Sequence, residues 1–342
     1  MRSHVRTIAV LALAALLLAL FLRNVDVRGV VGQIVRARPE WLLLSLVATF
    51  ANLPIRTWRW QYLLEPLGTA HYGNAFRATV VGFAANSLLP ARAGEVIRPY
   101  FLARSERISA TSAFATIILE RLLDTLTVLL LLAAYVFVFG RDLGAANPMA
   151  FAAMKWAGGL AAAGSLVALA VLFVAAGDPA RVGRTLARLA QVLPSALAGL
   201  VAQVAEKFAT GLGIVRRPGR LIVALLLSLP LWFCIATGIW AAMQAFHIAM
   251  PFTGSFLLVA ILVIGVAVPT PGAVGGFHEA TRIGLTMFFA APNDAAVGAA
   301  IVLHAFSTLP SLLLGLAFAA QEGINFSRMR QLAEHPEPGR SA

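Results

Sequence analysis

Eight separate apolar runs, at residues 7–22, 41–57, 74–89, 117–139, 154–176, 221–246, 253–269 and 295–320, limit what this chain can fold into. A hydrocarbon core about 30 Å thick takes about 20 mostly apolar residues per helix, and only helices or closed barrels can face lipid. The fold class expected is therefore all-α and polytopic, with about eight transmembrane helices. Composition agrees: 60% of residues are apolar and 12% are charged, against about 25% charged in soluble domains. The first run follows the basic stretch MRSHVR but continues into FLRNVD without a small-x-small cleavage site, so it is read as a span or uncleaved anchor.

The formal net charge is +12, and of the 27 basic residues only Lys155 and Lys207 are lysines. In a soluble domain this balance would suggest nucleic acid. Here it reads as positive loops on the cytoplasmic side, and no nucleic-acid partner is expected. The longest loop, 177–220, carries Arg181, Arg184, Arg188, Lys207, Arg216, Arg217 and Arg220 against Asp178 and Glu206, and should form one or two amphipathic surface helices. Eight spans put both termini on one side, yet five spans precede this loop and would place it outside, so one crossing is miscounted or the loop breaks the charge rule. The single cysteine, Cys234, excludes an intramolecular disulfide. The six histidines show no metal spacing, so neither a metal nor a cofactor is expected. The tail from Gln321 is polar and is expected to be disordered.

Two stretches combine ionisable residues with helix breakers. NSLLPARAGEVIRPYFLAR, from Asn86 to Arg104, holds Pro90, Gly94, Glu95, Arg98 and Pro99; VPTPGAVGGFHEATRIG, from Val268 to Gly284, holds Pro269, Pro271, Gly272, Gly275, Gly276, Glu279 and Arg282. Proline and glycine at this density interrupt a helix, and free backbone at membrane depth is tolerated only where protein buries it or it lines a wet cavity. The stretches read either as re-entrant or broken helices or as ordinary extramembrane turns. At an offset of 184 residues Glu95 falls on Glu279, Arg98 on Arg282, Ser109 on Asn293 and Glu120 on His304. Glu-x-x-Arg also occurs at Glu337 and Arg340, so the weight lies in context: both membrane copies follow a break and precede a long apolar run. The expectation is an internal repeat with halves at about 41–139 and 221–320 within one domain, 1–320. Residues three apart share a helix face, so each Glu can pair with its Arg, although Pro99 could place Arg98 in a turn.

Two further clusters stand out. ILERLLD carries Glu120, Arg121 and Asp124, either about one turn inside a span or at its interface if the span starts near Leu122. Ionisable groups inside a span are costly and mark function by default. IRTWRWQYLLEPLG sets Arg56, Trp58, Arg59, Trp60 and Tyr62 where a span ends, as an interfacial collar or as a site for anionic headgroups.

RTWRWQYLLEPLG, NSLLPARAGEVIRPYFLAR, ILERLLDTLTVLLLL and PTPGAVGGFHE, in that order, resemble the lysylphosphatidylglycerol synthase transmembrane, or flippase-like, family. That family includes the lipid-flipping part of the multiple peptide resistance factor. The resemblance covers nearly the whole chain, and implies translocation of a phospholipid or other polar-headed lipid across a bacterial inner membrane. By motif position it points to Arg59, Asn86, Arg92, Gly94, Glu95, Arg98, Glu120, Arg121, Asp124, Pro271, Gly275, Gly276 and Glu279; the residue reading adds Arg282. No aminoacyltransferase domain is expected, so no enzymatic activity is assigned. The partners implied are membrane lipids, with a lipid-modifying enzyme as a second. The alternative is a membrane-embedded enzyme using Glu120 and Asp124 as acid and base, or an accessory subunit for a lipid-linked substrate.

Overall fold

The computed structural model describes residues 26–89, 92–139, 148–189, 195–267 and 270–321. The first apolar run, Pro90, Pro269 and residues 322–342 lie outside them. Every regular element among the described residues is helical: α1 Val27–Arg36, α2 Pro39–Leu64, α3 Tyr72–Leu88, α4 Gly94–Ser105, α5 Ala110–Ala134, α6 Pro148–Gly177, α7 Pro179–Leu189, α8 Ser195–Gly211, α9 Pro218–Ala245, α10 Gly254–Gly265, α11 Gly276–Phe289 and α12 Asn293–Gln321. A π-helical turn, Tyr135–Phe139, continues α5.

Among the described residues four helical stretches are long and apolar enough to cross a membrane: Ala110–Val138, Phe151–Gly177, Pro218–Ala245 and Asn293–Gln321. They match four of the eight runs and fit a polytopic membrane protein. The run 41–57 falls on α2, a 26-residue helix that carries Glu40, Arg56 and Arg59. The runs 74–89 and 253–269 fall on helices of 17 and 12 residues. At 1.5 Å per residue these reach about 25 and 18 Å, less than a bilayer core.

Those two short helices are arms of hairpins. In the first, the Gly94 N–H donates to Asn86 Oδ1 at 2.8 Å. A Cβ on Gly94 would stand 1.8 Å from the Gly82 carbonyl oxygen, so α4 folds back against α3 backbone to backbone. In the second, a Cβ on Gly265 would meet Ala280 Cβ at 2.4 Å, and one on Gly254 would meet the Phe289 ring at 2.8 Å, so α11 runs back along α10. The turn between them needs left-handed backbone at Gly272 (φ +60°) and Gly275 (φ +87°). A side chain is disfavoured there, which accounts for the glycines.

The order long helix, hairpin, long helix thus occurs twice, as α2–α5 and α9–α12, and the two sets interlock. Helix α2 packs along α9, α3 along α12, and α5 along α10. The α2–α9 seam is close: Ser45 Oγ donates to the Gly238 carbonyl at 2.7 Å, and a Cβ on Gly238 would lie 2.4 Å from Thr49 Oγ1. Between the sets, the 177–220 loop forms two helices as expected. Helix α8 does more than lie on a surface, because Ser112 Oγ at the start of α5 donates to the Lys207 carbonyl at 2.8 Å. Its end packs Phe208, and Leu212 just beyond it, against a core shared with Trp60, Leu63, Ile117 and Leu119.

Candidate functional site

Helix α2 buries the face made by Leu53, Arg56, Thr57, Arg59, Trp60, Leu63 and Leu64. Arg56, Arg59 and Trp60, expected as part of an interfacial collar, therefore point into the protein, and it is Trp58 that stays exposed. The correction follows from helical spacing: positions 56, 59, 60 and 63 share one face.

Opposite them stands α5 with Glu120, fully buried, and Asp124, 5% exposed. Asp124 is the midpoint of the 29-residue helical stretch Ala110–Val138. The cluster is therefore buried within the bundle. Arg56 Nη1 donates to Glu120 Oε1 at 3.1 Å and to Asp124 Oδ2 at 3.0 Å. Arg59 Nη1 donates to Asp124 Oδ1 at 2.7 Å and to Ser228 Oγ at 2.6 Å. Arg98 Nη1 donates to Glu120 Oε1 at 3.1 Å, with its guanidinium 3.8 Å from the centre of the Trp60 ring. Trp60 Nε1 in turn donates to Thr116 Oγ1 at 2.9 Å, and Trp232 Nε1 to Asp124 Oδ1 at 3.1 Å.

Arg98 is helical, with Pro99 accommodated inside α4. Its partner is Glu120 rather than Glu95 three residues before it. Glu95 instead lies 3.8 Å from Arg92 Nη1 and 3.4 Å from Arg121 Nε, and Arg121 also stands 3.5 Å from Asp124. Three buried guanidinium groups, of Arg56, Arg59 and Arg98, thus face two buried carboxylates, of Glu120 and Asp124, leaving one positive charge in excess, and Arg92, Arg121 and Glu95 flank them in more exposed positions. Buried ions are tolerable only when paired and hydrogen-bonded throughout. Here Arg56 Nε, Arg59 Nε and Nη2, Arg98 Nε and Nη2, and Glu120 Oε2 are buried with no hydrogen-bond partner, although Arg59 Nη2 lies 3.5 Å from Glu120.

The cluster opens on a narrow crevice at the first hairpin, with only about 10 Å³ of free space, lined by Thr79, Gly82, Phe83, Asn86, Gly94, Glu95, Arg98, Ile117 and Arg121. Seven of the ten expected headgroup residues gather here: Asn86, Glu95, Arg98 and Arg121 line it, and Arg59, Glu120 and Asp124 stand behind it. Arg92 sits at the turn with φ +54° and donates from Nη2 to the Val266 carbonyl at 2.8 Å, so it ties the first hairpin to the second. A Cβ on Gly272 would lie 3.4 Å from the Ser87 carbonyl oxygen, so the two turns touch.

Glu279 and Arg282 stand apart from this cluster. They form the forked pair expected from their spacing, Arg282 Nε donating to Glu279 Oε2 at 2.9 Å and Nη2 to Oε1, with Nη1 donating to Asn293 Oδ1 at 3.2 Å. No ion pair joins them to the cluster among the described residues. Pro271, Gly272, Gly275 and Gly276 make the second turn and the start of α11. His304, which the 184-residue offset aligns with Glu120, has its Nε2 2.7 Å from the Gly272 carbonyl and its ring 4.5 Å from that of His278. No group of three or more potential metal ligands occurs among the described residues.

Sequence reasoning missed Arg56 as a member of the cluster, and Trp60, Thr116, Ser228 and Trp232 as its supports. The i, i+3, i+4 spacing of Arg56, Arg59 and Trp60 carried that signal; Ser228 and Trp232 come from a helix packed against α2, which no local pattern shows.

Away from the cluster, Glu106 after α4 closes the first hairpin's outer end, accepting from the His71 N–H at 2.8 Å and from Asn74 Nδ2 at 2.9 Å. Burial works against ionisation of this carboxyl, but the bonds from Asn74 and His71 outweigh it and hold its pKa below the usual carboxylate range.

The family model for the lysylphosphatidylglycerol synthase TM region matches residues 7–315. A UPF0104 membrane protein of Methanocaldococcus jannaschii is 29% identical over 99 residues, 28% of this chain and 30% of the relative. A UPF0104 membrane protein of Methanothermobacter thermautotrophicus is 34% identical over 124 residues, 34% of each chain. The glycosyltransferase AglD of Haloferax volcanii is 29% identical over 126 residues, 36% of this chain and 20% of that protein. The matched segments therefore span about a third or less of each relative's own length.

Proposed function

As the chain belongs to the lysylphosphatidylglycerol synthase TM region family of membrane proteins, we propose that it is a lipid translocator, moving a phospholipid or other polar-headed lipid across the bacterial inner membrane. The observation that carries this reading is the buried cluster of three arginines and two carboxylates beside the first hairpin, flanked by Arg121 and Glu95. It has one positive charge in excess, and several of its N–H groups have no acceptor. A phosphate-bearing headgroup supplies both the negative charge and the acceptors, and planar guanidinium groups suit it. When the site is empty, Glu95, Glu120 and Asp124 hold the arginines so that none is left unpaired at membrane depth.

In this reading all eight apolar runs lie within the bilayer, two of them as hairpin arms. The sets α2–α5 and α9–α12 are the halves of a duplicated unit, with the moving parts at the touching turns. The crevice, with about 10 Å³ of free space, is far too small for a lipid headgroup, so passage requires the hairpins to part, and the Arg92 bond to Val266 is a contact that parting breaks.

The test is translocation of a headgroup-labelled anionic phospholipid in proteoliposomes. Glu95→Gln, which sits at the mouth of the crevice, should reconstitute normally and lose translocation; Arg98→Ala should do the same. Unchanged flipping in both variants would overturn the site.

A second reading is favoured by the match to AglD, a glycosyltransferase by name: the chain serves an enzyme of lipid-linked substrates as a membrane partner. In that case the cluster is a structural brace, and both variants would lower stability while leaving lipid distribution unchanged.

A further inference from the structure

Helix α6 is the least enclosed of the long helices: among its described side chains only Ser165 is buried. Where its second half passes the start of α9, the two border an open apolar groove of about 430 Å³, lined by Leu166, Leu169, Phe173, Val174, Val215 and Leu221. The residues along α6 cover two turns of one helix face, about 12 Å of length.

At one end the groove meets charge. The Arg216 guanidinium lies 4.6 Å from the centre of the Phe173 ring and 3.0 Å from where a Cβ on Gly177 would be, so it rests across the end of α6 at the mouth of the groove. Arg217 follows it and is also exposed. The nearby carboxylate of Glu65 is taken by Arg220, which holds it with two bonds of 2.7 and 3.0 Å. Arg216 and Arg217 have no ion-pair partner among the described residues. An open apolar slot with the Arg216 guanidinium at one end, and the exposed Arg217 next to it in sequence, has the polarity of a two-part molecule: a hydrocarbon chain along the slot and an anion at its end.

We propose that this groove is a binding site for an anionic phospholipid, separate from the buried cluster, with an acyl chain along α6 and the phosphate on Arg216 and Arg217. The lipid seals α6 to α9 and so fastens a helix that packs little against the bundle. This site does not depend on translocation at the cluster, and it persists if the chain translocates nothing.

The experiment uses the full chain in nanodiscs of phosphatidylcholine with 10–20% of a phosphatidylglycerol carrying a photoreactive acyl chain. Mass spectrometry then maps the adducts. Adducts should concentrate on residues 166–174 and 215–221, and should fall at least fivefold in Arg216→Ala/Arg217→Ala. A phosphatidylcholine carrying the same photoreactive chain should label there no more than elsewhere on the helix. In the intact protein phosphatidylglycerol should raise Tm by several degrees, an effect the double variant loses while keeping its Tm in pure phosphatidylcholine. Ala170→Trp, which fills the groove without touching the arginines, should block the adducts as well. Equal labelling by both probes, or anionic labelling undiminished by the double variant, would overturn the proposal and leave the groove an ordinary lipid-facing surface.

Discussion

Arg59 and Asp124 meet at 2.7 Å at the midpoint of the α5 stretch, and the same carboxylate oxygen accepts the indole N–H of Trp232 from the other half of the protein. One bond thus joins α2 to α5, and the next joins both to α9. Removing one member of a buried pair leaves the other charge uncompensated, at about 3–5 kcal/mol. Asp124→Asn should therefore lower the melting midpoint of the purified protein sharply. Arg59→Met combined with Asp124→Leu should recover most of the loss, and a non-additivity above about 2 kcal/mol in the cycle would locate the penalty in the unpaired charge.

Gly94→Ala places a methyl group 1.8 Å from the Gly82 carbonyl oxygen, which is backbone and cannot turn aside. The hairpin must open to admit it, so the variant should lose about 1–3 kcal/mol of stability. Gly73→Ala, in the first turn of α3 where nothing lies within 4 Å, should melt like the parent.

Trp60→Phe keeps an aromatic face for Arg98 but removes the donor to Thr116. The buried hydroxyl retains its bond to the Ala113 carbonyl, so the cost should be near 1 kcal/mol. Trp60→Ala removes the face as well and leaves a cavity, for about 3–5 kcal/mol. Similar losses in the two variants would show that Arg98 gains nothing from the ring.

Glu106 supplies the pH dependence at the outer end of the hairpin. Its carboxyl titrates lower in the folded chain than the ordinary 4.5, so its stabilisation is complete above about pH 5 and is lost as pH falls through the folded pKa. Between about pH 5 and 3 the melting midpoint should fall less steeply in Glu106→Gln than in the parent. Parallel curves would show that the bonds from His71 and Asn74 do not favour the charged form.

Periodicity and composition make the long helices legible: 117–139, 154–176, 221–246 and 295–320 stay strongly apolar despite the charged turn Glu120–Asp124 and single prolines at Pro230 and Pro310. The breaks at Gly94 and at Gly272 to Gly276 are equally plain, since glycine and proline mark them. Helices α4 and α11 are less visible, because hydropathy sees their Glu, Arg and Gly rather than the hairpin that shelters them. For the same reason Arg56 reads as a surface anchor: its burial depends on α9 and α5 closing over α2, a long-range fact that a local window does not contain. Glu279 and Arg282 show the opposite case, a pair legible from spacing alone because both partners lie on one helix.

The interlocking of the halves also sets an order on biogenesis. Trp232 follows Asp124 by 108 residues, and Ser228 follows Arg59 by 169, so two supports of the cluster leave the ribosome long after the charges they hold. The arginines and carboxylates of α2, α4 and α5 enter the membrane first and must neutralise one another while α9 is unmade. A nascent chain stopped before residue 218 displays that half-supported cluster on the side α9 would have covered, so the last contacts to form are the ones that distinguish a finished molecule from an interrupted one.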